Sequence, residues 1–364
     1  MTSRACAAIA CSGLLLGGCG TDAKTSDQGG AGAANDDVHS LTLTVGPDAR
    51  TFVDLSGPSR VQVEGDGSDS IAWDLAFQAH DIFSNGGVSG PGNCSAFGPL
   101  SAPTFLSDTV EVPITLNDRA GGALLEWYDY GGNTHQLFSR YHVYGIRDGE
   151  RLFKLQVLGY YGEQQGAPVA ALYRVRYAEV TADGVGKTQE VVDIDATAGG
   201  SKANEQEPSG CLDLDSGTIT PLLPKEAAAS SDWQLCFRRE IISVNGGVSG
   251  PRGMQAVDLQ AADTQTETEQ DIQARTADSE LALFDGVDYT TLSDSALSYR
   301  ADGVVTAFAE RWLELGSDPL ALSDSTWWVV GADGASKYLV RFTDLVGDPA
   351  TEDAQLTLET KSVQ

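Results

Sequence analysis

The feature that most constrains this chain is a stretch it carries twice. Trp73-Asp74-Leu75-Ala76-Phe77, followed by Asn85-Gly86-Gly87-Val88-Ser89-Gly90-Pro91, returns as Trp233-Gln234-Leu235-Cys236-Phe237, followed by Asn245-Gly246-Gly247-Val248-Ser249-Gly250-Pro251. The spacing is 160 residues at every matched position, which marks an internal duplication. In each copy Trp, Leu and Phe alternate with smaller or polar residues, so the large apolar side chains share one face of a strand. Asn-Gly-Gly tolerates positive φ, and the chain is expected to reverse or bulge there. Gly-Gly-x-Ser-Gly has the spacing of neither a phosphate loop nor a nucleophile elbow.

A second set of matches fixes the length of an insertion. Trp127, Asp148-Gly149 and Val157 correspond to Trp312, Asp333-Gly334 and Phe342 at a spacing of 185, so about 25 residues enter the second copy between Pro251 and Trp312. Its stretch from Asp263 to Ser279, rich in Gln, Thr, Asp and Glu, reads as a solvated excursion or a short helix. Elsewhere the signal is period two, in Leu41–Val45, Val61–Val63, Tyr141–Tyr144, Phe153–Val157 and Leu172–Tyr177, with Gly-, Asp- or Pro-bearing turns between. The expected fold class is all-β, with two tandem antiparallel β domains, 38–182 and 183–364. The junction from about Asp183 to Pro208 would carry a first edge strand at Glu190–Ile194.

The N-terminal residues read as a lipoprotein signal over 1–18. Arg4 supplies positive charge, an apolar run follows, and Leu16-Gly17-Gly18-Cys19 places small residues before a cysteine. Cys19 is then the lipidated residue, and 19–37, almost without apolar bulk, is a flexible tether. The expected partner is the lipid bilayer through that anchor, and the expected location the bacterial cell envelope, at the outer membrane or cell surface. No later run reaches the roughly 20 apolar residues of a spanning helix.

Asp and Glu number 52 against 23 Lys and Arg, a net charge of −29 that repels phosphate backbones and argues against nucleic acid as a partner. Asp193-Ile194-Asp195 and Asp213-Leu214-Asp215-Ser216-Gly217 hint at a calcium loop but lack its spacing and terminal Glu. No nucleophile motif, paired histidine motif or phosphate loop is present, so the chain reads as non-enzymatic. Cys94, Cys211 and Cys236 remain after the signal and the lipidated cysteine, with no C-x-x-C. Cys211 begins a strand equivalent to the one near Phe52, and if it neighbours the Trp233 strand it can join Cys236.

The repeated Trp-Asp-Leu-Ala-Phe and Asn-Gly-Gly-Val-Ser-Gly, with Val330-Gly331-Ala332-Asp333-Gly334, Lys337-Tyr338 and Phe342-Thr343-Asp344, resemble the HmuY family of surface lipoproteins, in tandem across both halves. The resemblance implies an all-β, non-enzymatic module that captures haem through paired His or Met side chains. Those ligands do not carry over: Leu106 to Leu125 contains neither His nor Met, and Leu125-Glu126-Trp127 is followed by Tyr128-Asp129-Tyr130. The second copy has no histidine, and its only methionine is Met254.

Of the four histidines, His39 falls in the tether, while His80 and His142 read as packing or hydrogen-bonding residues. His135 is the metal candidate: Gly131-Gly132-Asn133-Thr134 sets it at a loop end, with Tyr128 and Tyr130 as ligand-binding neighbours. The function expected is a surface-anchored lipoprotein binding haem, a haemoprotein or a similar small ligand. The alternatives are an interaction or structural lipoprotein whose HmuY-like domains have lost haem ligation, and a calcium- or carbohydrate-binding β module.

Overall fold

Four runs of chain build the structure. The first holds β1 (Val38–Val45), β2 (Thr51–Asp54), β3 (Ser59–Val61), β4 (Leu75–Gln78), β5 (Asp81–Ser84) and β6 (Ser95–Ser101). In the second run are β7 (Arg119–Gly121), β8 (Tyr128–Tyr130), β9 (Leu137–Ser139), β10 (Val143–Asp148), β11 (Arg151–Gln164), β12 (Ala167–Thr181), β13 (Gly184–Val185) and β14 (Gln189–Asp195). The third has β15 (Ser209–Leu212), β16 (Ile219–Leu222), α1 (Pro224–Ala229), β17 (Leu235–Arg238), β18 (Ile241–Val244) and β19 (Gln255–Asp258), and then the insertion with α2 (Glu269–Ala274), α3 (Leu281–Asp285) and α4 (Tyr289–Leu292). The last supplies β20 (Gly303–Val305), β21 (Leu313–Glu314), β22 (Ala321–Leu322), β23 (Ser325–Val330), β24 (Lys337–Val346) and β25 (Ala354–Ser362).

This computed structural model describes residues 38–198 and 207–363. The signal at 1–18, the lipidated Cys19, the tether 19–37 and Gly199, Gly200, Lys202 and Glu205 of the junction lie outside the described residues. His39, expected in the tether, belongs to β1 and sits exposed opposite Thr360. Among the described residues no helix is long and apolar enough to cross a membrane.

The fold is antiparallel and all-β, and its strand pairing runs across the duplication. The first and fourth runs make one five-stranded sheet, β1-β25-β24-β23-β6, and the second and third make another in which β14 and β13 share the edge of β12, followed by β11, β10 and β19. Each is accompanied by a four-stranded sheet, β3-β2-β4-β5 in the first case and β16-β15-β17-β18 in the second. We call these the outer lobe (38–118 with 303–363) and the inner lobe (119–302). The outer core joins Leu43, Leu75 and Phe77 to Trp312, Trp327 and Leu356, while the inner joins Trp127, Phe153 and Tyr173 to Leu235, Phe237 and Ile242. Asp37–Gln364 is one contact unit, and a division at 182/183, where the sequence copies meet, passes through both cores.

The exchange is made at two short strands. β7 and β20 pair antiparallel, Arg119 with Val305, Ala120 with Val304 and Gly121 with Gly303, so the two crossings lie side by side about a local pseudo-two-fold. Just before each stands a buried aspartate. Asp118 accepts hydrogen bonds from Ser84 N (2.9 Å), Ser89 Oγ (2.6 Å) and Ala307 N (2.9 Å). Asp302 accepts from Val244 N (3.0 Å) and Ser249 Oγ (2.7 Å). Both tie down the Asn-Gly-Gly-Val-Ser-Gly turn of their lobe, whose second glycine has positive φ (61° at Gly87, 63° at Gly247) and no room for a Cβ against the Asp118 or Asp302 carbonyl. That packing is why the repeated turn needs glycine.

Two local features follow from the same frame. Phe52 faces Ala76 across β2–β4, and Cys211 faces Cys236 across β15–β17, where the two cysteines form the disulfide that the strand equivalence predicts; Cys94 is free and buried. The insertion, expected as a solvated excursion or short helix, does form short helices but packs down. Phe284, Val287 and Leu292 cover Val143, Leu152, Ala178 and Val180. Lys154 Nζ donates to Phe284 O (2.8 Å) and Val287 O (2.9 Å), and Arg176 Nη1 to Ala277 O (2.9 Å). Polar residues alternating along β11 and β12 thus face a layer of protein, where they must find partners instead of water.

Candidate functional site

At one end of the inner lobe the aromatic residues gather. Trp127 is anchored by Nε1 donating to Glu240 O (2.7 Å), and its ring packs at 5.0 Å from Tyr128, 5.8 Å from Tyr160 and 5.2 Å from Tyr173. From this base β8 and β9 project as a hairpin. Gly131 N donates to Gln136 O (2.9 Å) and His135 N to Gly131 O (2.8 Å), closing the loop with His135 at φ 56°. Histidine is among the residue types that adopt the left-handed region.

This turn brings His135 back onto Tyr130: Tyr130 Oη and His135 Nδ1 are 2.8 Å apart, with ring centroids at 5.9 Å. Nε2 has no hydrogen-bond partner among the described residues. Tyr130 is 48% exposed and Tyr161, whose Oη accepts from Leu137 N (2.9 Å), is 43% exposed, so the hairpin presents an imidazole against the Tyr130 ring to solvent, with Tyr161 bonded to the returning strand. A hydrogen bond at one ring nitrogen fixes ring orientation and tautomer and directs the other nitrogen outward. Tyr128 is half-buried against Trp127, and burial followed by the charge of Glu240 raises its pKa, which disfavours the phenolate. Of the three residues singled out in the sequence, the structure places Tyr130 and His135 together on the surface and Tyr128 behind them in the packing.

The other histidines are held in place. His80 Nε2 lies 2.8 Å from Asp348 Oδ1 and its carbonyl accepts from Trp312 Nε1 (2.8 Å). Buried His142 bridges Asp258 (Nδ1, 2.8 Å) and Glu267 (Nε2, 3.0 Å), in keeping with a hydrogen-bonding role. Glu267, 5% exposed, also accepts from Arg140 Nη1 (2.7 Å) and from Arg275 Nη1. Burial alone would raise the Glu267 pKa, but these three cationic partners hold it down at about 2. For His142, burial works against the charged ring, and the bonds and charges of Asp258 and Glu267 outweigh it and raise its pKa. Met254 is fully buried in the inner core. Asp213 to Gly217 form the β15–β16 turn, with Asp215 N and Ser216 Oγ donating to Asp213 (2.9 and 2.8 Å). Among the described residues no cluster of three or more His, Cys, Asp or Glu has an arrangement suited to a metal ion.

In the outer lobe the equivalent end is aliphatic, with Leu313 and exposed Leu315 after Trp312 and Leu345 and Val346 on β24. That lobe also holds recesses. One, of about 480 Å³, lies on the outer side of β2 and β3, lined by Arg50, Arg60, Gln62 and Gln78. Another, of about 220 Å³, lies between Asp54, Trp73, Asp74, Asp333 and Tyr338. No motif announces Asp118, Asp302 or this acidic recess; the signal that Asp118 and Asp302 carry is their offset of 184, one short of the 185 that relates Trp127 to Trp312.

No protein-family description and no curated protein matches the chain. Among solved structures, one from Bacteroides vulgatus, designated an HmuY-like heme-binding protein, is 13% identical, covering 46% of this chain and 88% of that chain at a TM-score of 0.14. A second, the apo HmuY analog from Tannerella forsythia, is 16% identical, covering 58% of this chain and 97% of that chain, also at a TM-score of 0.14. Likeness at this level carries no weight for ligand or fold.

Proposed function

We propose that this chain is a non-enzymatic, surface-anchored lipoprotein of HmuY type that binds haem or a similar flat ligand at the β8–β9 hairpin of the inner lobe. The observation that carries this reading is the exposed Tyr130–His135 pair at 2.8 Å, set beside Tyr161 on an aromatic base. The residues fit such a group: His135 Nε2 would ligate iron, Tyr130 would hold the imidazole through Nδ1, and Tyr130 and Tyr161 would offer apolar faces to a porphyrin. Haem would supply a Lewis-acidic iron and a large planar apolar surface. No second imidazole or thioether stands in the hairpin, so ligation by this chain is one-sided. The Leu16-Gly17-Gly18-Cys19 sequence is the support for envelope location, and Cys19→Ser should release the protein from the membrane fraction; a variant that stays bound overturns the anchor.

Ferric haem titration of the chain from residue 20 onward tests the ligand. The intact chain is used because each core needs both sequence copies. The expected result is a saturable Soret shift at one equivalent, lost in His135→Ala and weakened about tenfold or more in Tyr130→Phe. Full retention in His135→Ala shows the site is elsewhere. Absence of any shift favours the interaction-module reading, in which the exposed aromatic hairpin meets a protein partner.

A further inference from the structure

The duplication allows one lobe to be used as a template for the other. In the inner lobe Arg252 turns its guanidinium into a recess beside Trp233: Nε and Nη2 grip Asp148 (3.0 and 2.7 Å), Nη1 donates to Ser231 O (2.8 Å), and Nη2 lies 3.9 Å from the Asp215 carboxylate. Arg151 completes the neutralisation, with Nη1 2.6 Å from Asp215. The chain thus fills its own acidic site with a bidentate arginine, the geometry a carboxylate holds best.

In the outer lobe one wall carboxylate is kept, the other three wall positions change, with Asp74 bringing a new carboxylate, and the arginines are gone. By the repeat, Asp333 stands for Asp148, Ile71 for Ser231, Ser56 for Asp215 and Asp74 for Gln234, while Gly92 replaces Arg252 and Ser336 replaces Arg151. The four wall positions line the 220 Å³ recess, and Asp54 and Tyr338 complete it. A Cβ at Gly331 would lie 3.2 Å from Asp74 Oδ1 and 3.3 Å from Asp333 Oδ1, so the two carboxylates converge on one point. Asp74 is 8% exposed and accepts only from backbone, Ala332 N (2.6 Å) and Leu55 N (2.7 Å). Burial raises its pKa, and the charges that bear on it, Asp54 and Asp333, are both negative. A buried carboxylate facing two more without a cation is costly unless something positive arrives.

We propose that the outer-lobe recess receives a guanidinium group, an arginine side chain brought by a ligand or partner, in the place that Arg252 occupies in the inner lobe. Asp333 takes the fork of the guanidinium, Asp74 and Asp54 supply the field behind it, and exposed Ile71 gives the stem an apolar rim. This site is separate from the haem reading and stands or falls without it.

Isothermal titration of the chain from residue 20 onward with N-acetyl-arginine amide tests it, with the neutral isostere N-acetyl-citrulline amide as control. One site is expected for the arginine amide and none for citrulline. Asp333→Asn, in which the side-chain oxygen can still cap Ala335 and Ser336, should weaken binding at least about tenfold, and so should Asp54→Asn; circular dichroism verifies folding of both. Arg252→Gly should open the inner recess and raise the stoichiometry from one to two. Free arginine binding as tightly as the amide assigns a small guanidino compound, and tighter binding of the capped form assigns an arginine within a polypeptide. Equal binding of citrulline, unchanged binding in both aspartate variants, or no binding of the arginine amide overturns the proposal.

Discussion

The two lobes share one frame and secure it by different means. In the inner lobe, polar positions on the back of the sheet are closed by the insertion, whose Glu267 gathers His142, Arg140 and Arg275 in a buried cluster. The outer lobe covers the corresponding face with Ala102–Leu106 and the residues after it. Its buried Lys361 donates to Ser107 O (3.0 Å) and reaches Asp108 (2.7 Å), a carboxylate 87% exposed. The inner lobe links Cys211 to Cys236 where the outer lobe sets Phe52 against Ala76. What differs is the setting of these two clusters: the one about Glu267 is closed inside the inner lobe, and the one about Lys361 reaches out to an exposed carboxylate.

The sharpest way to break this contrast is to remove the shared acceptor. Glu267→Ala leaves two arginines and a histidine facing one another with only Asp258 and Asp129 to answer them, and should cost about 3–5 kcal/mol in denaturant unfolding. Asp108→Ala should cost at most about 1 kcal/mol. Similar losses for the two would show that the buried network is no more than a surface pair. Next in size is the disulfide. Replacing Cys211 and Cys236 by Ala, which opens a separation of 25 residues, should lower stability by about 3 kcal/mol, while Ala76→Val in the outer lobe should change it far less.

The smallest effect is in pH dependence. Burial raises the Asp302 carboxyl from 3.8 to about 6, so its contribution to stability is complete below 3.8 and is lost as pH rises through 6. Asp302→Asn should remove that decline, on the order of 2 kcal/mol between pH 4 and 6. Asp118 is raised in the same direction by burial, and Asp118→Asn should flatten the profile less. Glu267 acts oppositely, since its contribution is present above 4.5 and lost as pH falls through about 2; stability rising between pH 4 and 6 would mean that Glu267 or another carboxylate outweighs Asp302.

Much of the frame was legible. The strands β4 and β17, the Asn-Gly-Gly turns and the neighbouring of Cys211 and Cys236 follow from alternation, glycine tolerance and a near-constant offset, but Trp73 and Trp233 stand before those strands, and Trp73 packs with Phe52, Ala76 and Phe83 apart from Leu75 and Phe77 instead of sharing their face. What could not be read was which copy each strand joins, because period-two alternation fixes the face of a strand and says nothing of its neighbour. Thr42 and Thr357 are 315 residues apart and share a hydrogen bond of 2.9 Å, a pairing that no local signal announces. The insertion forms the expected short helix at Glu269–Ala274, and what the sequence did not announce is the burial of its charges. Glu267 and Arg275 look like solvated charge until Arg140 and His142 are placed against them. At the candidate site, the loop glycines correctly put His135 at a turn end beside Tyr130, but Tyr128, two residues along the same strand, went inward because Trp127 needed a cover.

The crossing of β7 and β20 has a consequence for how the protein is made. As the chain leaves the ribosome, residues 38–118 appear before the inner lobe, yet the strands that flank β1 and β6, β25 and β23, are synthesised after it. The inner lobe, continuous from 119 to 302, has its strand partners except β20 for β7 while the opening segment still waits with unpaired edges. Completion of the outer lobe therefore waits for residues 303–363, and a ribosome that stalls short of β23 leaves an inner half bound to a preceding segment with nothing to close it.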